Sequence, residues 1–176
     1  MKGIVVYGSK YGSTLKYANW IGEKYSFDTI SDSDVKLQDL KEYDVIIFGG
    51  GLYAGGIKGI KILQKFYDNL FDKKILVFAV GASASEDEKS LKEVKKHNLP
   101  GKLSDIPLFY CRGAWDLESM NFVDKIMCKA LIKSVEKKPY DSLDKWSKDL
   151  LDNKDKKLDW TDEKYLEPLY KKIKDF

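Results

Sequence analysis

The sequence predicts an α/β protein: a doubly wound, five-stranded parallel sheet with helices on both faces, followed by a helical extension. Three observations carry this. Apolar runs of strand length alternate with amphipathic helical stretches through residues 1–137, the order of a parallel sheet whose crossovers are helices. The strand runs are continuously apolar, as burial on both faces requires. The three stretches richest in Gly, Ser and Ala, at 8–14, 49–56 and 81–85, each follow a strand. In doubly wound sheets ligands lie beyond the carboxyl ends of the strands, so this one-sided placement marks a ligand site.

The elements follow in order. The first strand is residues 2–7, and the helix after its loop covers 13–24, with Leu15, Ala18, Trp20 and Ile21 on or near one face. Asp28–Ile30 and Val35–Leu37 form a weak second-strand region, and Asp39 and Leu40 introduce a short connection. The clearest buried strand is 43–49, which ends in the glycine-dense loop 49–56. A helix over 57–69 carries Ile60, Leu63, Phe66 and Tyr67 at three- and four-residue spacing. A strand at 74–80, a charged helix at 86–96, a strand at 107–111 and a helix at 121–137 complete the pattern. The apolar face of that last helix is expected to cover the sheet, leaving Lys125, Lys129, Lys133 and Lys137 solvated. A basic amphipathic helix lying on an anionic membrane is the alternative.

Residues 138–176 form an extension expected to pack back on the same domain. Leu143, Trp146, Leu150 and Leu151 mark a short helix, 152–157 a polar connector, Thr161 an N-cap and Pro168 the start of a last helix. A partner-binding arm is the other reading of this tail.

Composition excludes several functions. With 43% apolar residues and a net charge of +3, the chain is globular and no polyanion-binding tail. Two cysteines without a CxxC spacing suggest reduced thiols in a cytoplasmic protein. His97, the only histidine, sits in a polar run, which argues against a zinc site or a histidine-based triad. The first residues carry neither a signal-peptide core nor a membrane span of about 20 apolar residues.

The first loop, Gly8–Thr14, determines the chemistry. A helix that opens directly after a strand and loop offers free N–H groups and the positive end of its dipole to a phosphate. The loop lacks the GxxxxGK[ST] of a Walker motif and the GxGxxG of a dinucleotide fold, and no acidic cluster follows the first strand. What remains is Ser9-x-x-Gly12-x-Thr14, a hydroxyl-rich loop suited to a lone phosphate monoester such as that of FMN.

Ser9-Lys10-Tyr11-Gly12-Ser13-Thr14 resembles the flavodoxin phosphate loop, [T/S]-x-T-G-x-T, and departs from it at Tyr11. Three further stretches, at 47–55, 108–114 and 121–127, resemble the branch similar to menaquinone-dependent, oxygen-independent protoporphyrinogen dehydrogenase. The resemblance implies a flavodoxin-like sheet of order 2-1-3-4-5 and an FMN cofactor, with 1–137 as the flavin domain. It implies that Ser9, Lys10, Tyr11, Gly12, Ser13 and Thr14 hold the phosphate. Gly51, Leu52, Tyr53, Ala54 and Gly55, with Gly81, Ala82 and Ser83, would flank the ring, and Gly113 and Trp115 would close the site. Tyr53 is either a stacking aromatic or a loop anchor, and Trp115 a lid or a packed core residue. Arg112, the only arginine, either pairs with a substrate carboxylate or joins a structural ion pair, and Cys111 is an inert thiol.

The implied function is an FMN-binding oxidoreductase of protoporphyrinogen-dehydrogenase type, with no catalytic side chain of its own. Its partner would be a quinone or redox protein, with a small-molecule substrate and no nucleic acid. The alternatives are a flavodoxin-like electron-transfer protein and a flavin-free interaction domain. Flavodoxin carriers are as a class acidic; the mildly basic charge here favours an enzyme-like or membrane-adjacent role.

Overall fold

The computed structural model describes residues 1–83 and 88–176. In chain order, β1 (Gly3–Gly8) leads into α1 (Ser13–Tyr25). Then come β2 (Asp28–Ser31), the one-turn α2 (Leu37–Leu40), β3 (Val45–Tyr53), the short β4 (Gly56–Ile57) and α3 (Ile60–Phe66). Next are β5 (Lys74–Gly81), α4 (Glu88–Asn98), β6 (Leu108–Arg112), β7 (Ala114–Trp115) and α5 (Phe122–Glu136). The tail contributes α6 (Lys145–Asn153), β8 (Leu158–Asp159) and α7 (Glu167–Lys174). The main sheet runs β2-β1-β3-β5-β6 with every neighbour parallel. Counted over those five strands, this is the 2-1-3-4-5 order. β4 is a hairpin return at the end of β3, and β7 pairs with β8 in a separate ribbon.

Two expectations at the strand level are corrected. Val35–Leu37 is not strand: the N–H groups of Asp34 and Val35 turn back to the Ser31 carbonyl, and Leu37 begins α2. The second glycine-dense stretch is not a loop from Gly49 onward. β3 continues to Tyr53, with Gly49 paired to Tyr7 and Phe78, and the chain turns only at Ala54 and Gly55. Both turn residues have positive φ, 48° and 81°, the requirement of a two-residue primed hairpin turn. Gly49 and Gly50 stay in the ladder because other atoms occupy the space where their side chains would be. A Cβ on Gly49 would lie 2.0 Å from the Phe78 ring, and one on Gly50 would lie 2.2 Å from the Lys58 carbonyl oxygen.

Gly49→Ala should therefore destabilise the domain by about 1–3 kcal/mol through overpacking, read from the urea midpoint. In a Phe78→Leu background the alanine penalty should shrink, because the smaller side chain vacates the contact. An equal penalty in both backgrounds would show that the ring is not the obstacle.

The two faces of the sheet are filled by different sets of helices. On one, Ile4, Val6, Ile46, Phe48 and Val77 pack with Leu40, Ile60, Leu63 and Leu99. On the other, Val5, Ile47, Leu76 and Phe78 pack with Tyr17, Ala18 and Ile21 of α1 and with Leu166, Leu169, Tyr170 and Ile173 of the tail. α7, not α5, is thus the second helix of this face, which corrects the expectation for 121–137. Phe122, Val123, Ile126, Met127 and Leu131 of α5 are exposed. α5 buries only Ile132 and Val135, and Ile132 joins Trp115, Leu117, Leu150, Leu151 and Trp160 in a separate cluster. The expected N-cap at Thr161 is also displaced by one residue. Asp162 accepts from the Lys164 N–H, while the Thr161 hydroxyl donates to Asp159. Among the described residues, no helix is long and apolar enough to cross a membrane.

Candidate functional site

The carboxyl ends of β1, β3 and β5 open on a cavity of about 490 Å³. Lys10 and Gly12 apart, every residue expected at the site lines it: Ser9, Tyr11, Ser13 and Thr14, then Gly51–Gly55, Gly81–Ser83, Gly113 and Trp115. Ala84 and Ser85 of the third loop lie outside the described residues.

The first loop opens directly into α1. Gly12, at φ 94°, is the N-cap of α1 and offers no side chain to its first turn. The helical bonds begin with Lys16 N–H to the Gly12 carbonyl, so the N–H groups of Ser13, Thr14 and Leu15 have no helical acceptor. The Gly12 N–H itself is held by Ser9 Oγ at 3.1 Å, closing the loop on itself. Thr14 is only 2% exposed, yet neither its hydroxyl nor that of Ser13 has a protein partner among the described residues. Free donors thus lie at the positive end of α1, and no acid lies within residues 8–14.

Tyr11, the residue that departs from the flavodoxin pattern, is used elsewhere. Its hydroxyl donates to Asp124 Oδ2 at 2.6 Å and accepts from the Asn121 N–H and Nδ2, at 3.2 and 3.0 Å. Lys10 Nζ reaches the same carboxylate at 3.0 Å and stands 4.5 Å from the centre of the Tyr53 ring. Tyr11, which interrupts the phosphate pattern, and its neighbour Lys10 thus latch the first loop to the start of α5. This is why Lys10 is absent from the cavity wall. Gly12 is absent because it turns the chain at positive φ.

The Tyr11 and Lys10 hydrogen bonds hold the Asp124 carboxyl below its ordinary value. A depressed folded-state value means that the latch's contribution is complete above the ordinary aspartate pKa of 3.8 and is lost as pH falls through the lower folded value. Asp124→Asn should therefore be less stable than the parent at neutral pH, and the two stabilities should converge in acid. Chemical denaturation at a series of pH values, followed by tryptophan fluorescence, tests this. A gap that stays constant into acid would mean that the carboxylate charge is not what closes the latch.

The second and third loops are each pinned from behind. Asn98, buried at the end of α4, accepts from the Ile57 N–H and donates to the Gly55 carbonyl, both at 2.8 Å. Tyr53 folds back on its own strand: a Cβ on Gly51 would stand 2.7 Å from its ring. Burial pushes the Tyr53 phenol up to about 12. Tyr110 donates to the Ser83 carbonyl at 2.8 Å. Arg112 donates to the Ala82 carbonyl at 3.1 Å and to Asp149 at 2.7 Å, with its guanidinium 3.9 Å from the centre of the Trp160 ring. It is therefore committed to a structural ion pair that ties the tail to the third loop, not to a substrate carboxylate. Trp115 is wall and anchor at once, lining the cavity while its indole N–H donates to the Lys154 carbonyl at 3.1 Å. Cys111 is buried, which drives its thiol well up and leaves it inert.

Sequence reasoning missed the outer wall. Met127, Cys128 and Leu131 of α5, Trp146, Leu150 and Asn153 of α6, and Trp160 face the sheet loops across the cavity. The tail's tryptophans were the available signal, but only tertiary packing shows that they border the site. Asn98 was visible only as part of a polar run.

A family model described as Flavodoxin domain matches residues 4–142. The chain belongs to the flavodoxin-domain family. No curated protein matches this flavodoxin-domain chain. Among solved structures it is similar to a flavodoxin from the domain Archaea, at 25% identity over 74% of this chain and 93% of that one, with a TM-score of 0.41. It is also similar to oxidised Flavodoxin 2 from Bacillus cereus, at 22% identity over 78% and 100% of the two chains, with a TM-score of 0.44. The two-electron reduced flavodoxin of Megasphaera elsdenii is 17% identical over 61% of this chain and 82% of that chain, with a TM-score of 0.46.

Proposed function

We propose that this protein binds FMN and acts as a flavin-dependent redox protein. The observation that carries the proposal is the first loop. It presents unpartnered N–H and hydroxyl donors at the start of α1, with no acid inside it, at the edge of an apolar-walled cavity. That donor set fits a phosphate monoester attached to a planar apolar ring system. Ser9, Ser13, Thr14 and the α1 N–H groups would hold the phosphate, and residues 51–55 and 81–83 would border the ring. The bound flavin supplies the electron chemistry. The chain binds it, orients it through loops pinned by Asn98, Tyr110 and Arg112, and walls it with Trp115, Met127, Leu131 and Trp146.

The sharper form of the proposal is an oxidoreductase of protoporphyrinogen-dehydrogenase type with a quinone acceptor, working in the cytoplasm. α5 and α6 support it. They add an outer wall of apolar side chains to the cavity, which suits a largely apolar substrate face against the ring better than an open flavin edge would. The free cysteines, Cys111 and Cys128, suit a reducing compartment.

The test is a spectrum followed by a turnover assay. The purified protein should carry a flavin absorbance spectrum and oxidise protoporphyrinogen with a menaquinone as acceptor. Flavin without turnover would remove the enzyme and leave an electron carrier; a preparation unable to bind added FMN would remove the whole reading.

A further inference from the structure

α5 has an outward face that nothing in the fold explains. Phe122 is 78% exposed and Val123 63%, and Ile126, Met127, Ala130 and Leu131 continue the exposed stripe along the helix. Exposed apolar residues at this density are not the normal scatter of a protein surface. Lys129, Lys133 and Lys137 run along one flank of the stripe, all exposed and without an ion pair among the described residues. Both acids of α5 are engaged elsewhere. Asp124 is in the Lys10–Tyr11 latch, and Glu136 pairs with Lys154 at 2.5 Å. The charge that α5 presents outward is therefore positive.

The stripe is also continuous with the cavity. Met127 and Leu131, members of the exposed stripe, line the cavity together with Trp146 of α6, itself 41% exposed. One surface thus combines an apolar ridge, a cationic flank and the rim of the site. A helix with apolar residues on one face and lysines beside them is the form that lies in the plane of a lipid interface.

We infer that α5 docks this protein on an anionic lipid surface, with the stripe in the headgroup boundary, the lysines on the headgroup charge and the cavity rim turned toward the apolar phase. Docking of this kind would let a lipid-dissolved molecule reach the cavity without crossing water. The inference does not depend on the flavin reading, because docking can be measured on the chain with or without FMN.

The experiment is sedimentation of this 176-residue chain with vesicles of phosphatidylcholine alone and of phosphatidylcholine mixed with phosphatidylglycerol. Binding is expected to the mixed vesicles only, weakening as salt screens the lysines. The triple variant Lys129→Glu/Lys133→Glu/Lys137→Glu should weaken it by at least about 100-fold, since each lysine at a membrane surface contributes about fivefold. Phe122→Ser/Ile126→Ser should also release the protein, with an unchanged melting temperature because both side chains are exposed. Failure to bind the mixed vesicles, or binding that neither variant alters, would overturn the inference. So would a concentration-dependent dimer that Phe122→Ser/Ile126→Ser dissociates in the absence of lipid binding, which would assign the stripe to a second copy of the chain.

Discussion

A chain shortened to end at Asp162 should lose cooperative folding, although the residues it keeps include every strand of the main sheet. The deleted segment contains Leu166, Leu169, Tyr170 and Ile173, all buried against Val5, Ile47, Phe78 and Cys111. Burying one large apolar side chain contributes about 1.5–3 kcal/mol, so the four together contribute roughly 6–12 kcal/mol. Ordering the 14 residues of the segment costs about 1–2 kcal/mol each, which is more than these four side chains alone contribute. Deletion, however, also uncovers the sheet face beneath, a loss the four side chains do not count. Domains of this size are stable by only about 5–15 kcal/mol. The shortened chain should show a broad, non-cooperative thermal transition and bind a hydrophobic dye. The single change Leu169→Ala is the finer test, with an expected loss of about 2–5 kcal/mol in urea. Wild-type cooperativity in the shortened chain would mean that α5 can take the place of α7 on the sheet.

That possible exchange shows where the sequence stops being legible. The strands were readable because burial on both faces leaves continuous apolar runs, and the three ligand loops because small residues gathered after strands. Which amphipathic helix covers a given face is a competition, and local pattern does not decide it. α5 has more apolar residues than α7, yet α7 occupies the face beside α1, where Tyr25 donates to the Tyr170 carbonyl and Tyr170 to Glu163. The glycines at 49 and 50 misled for a similar reason. Glycine is depleted in strands, so a run of three reads as a loop, but Gly49 accommodates Phe78, distant in sequence, and Gly50 the Lys58 backbone, which the β3–β4 hairpin brings back. The outer wall of the cavity was hidden because its residues come from α5, α6 and the ribbon strand β8 with its flank. Tyr11 looked like a flaw in a phosphate motif until Asn121 and Asp124 supplied its partners.

Ser13→Asp should have opposite effects on stability and on flavin binding. Ser13 is the first residue of α1 and lines the cavity. A negative charge in the first turn of a helix interacts favourably with its dipole, by about 0.3–1 kcal/mol at an exposed position, and α1 has no acid in its first turn to duplicate it. The flavin-free variant should accordingly be as stable as the parent or slightly more so. If the same turn cradles the FMN phosphate, the new carboxylate meets a group of like charge. At about 4 Å and an effective dielectric constant of about 20, two unit charges repel by about 4 kcal/mol, which corresponds to roughly a thousandfold loss of affinity. The variant also places an acceptor where the parent offers a hydroxyl donor, so the change removes a favourable contact as well as adding a repulsive one. Urea denaturation without flavin and titration with FMN separate the two effects. Ser13→Ala is the control: it keeps the N–H groups and adds no charge, so it should lose only one hydrogen bond, about 1.5–3 kcal/mol to a charged group. A variant that gains stability yet binds FMN as tightly as the parent would place the phosphate elsewhere, because no arrangement on this turn keeps the two charges apart.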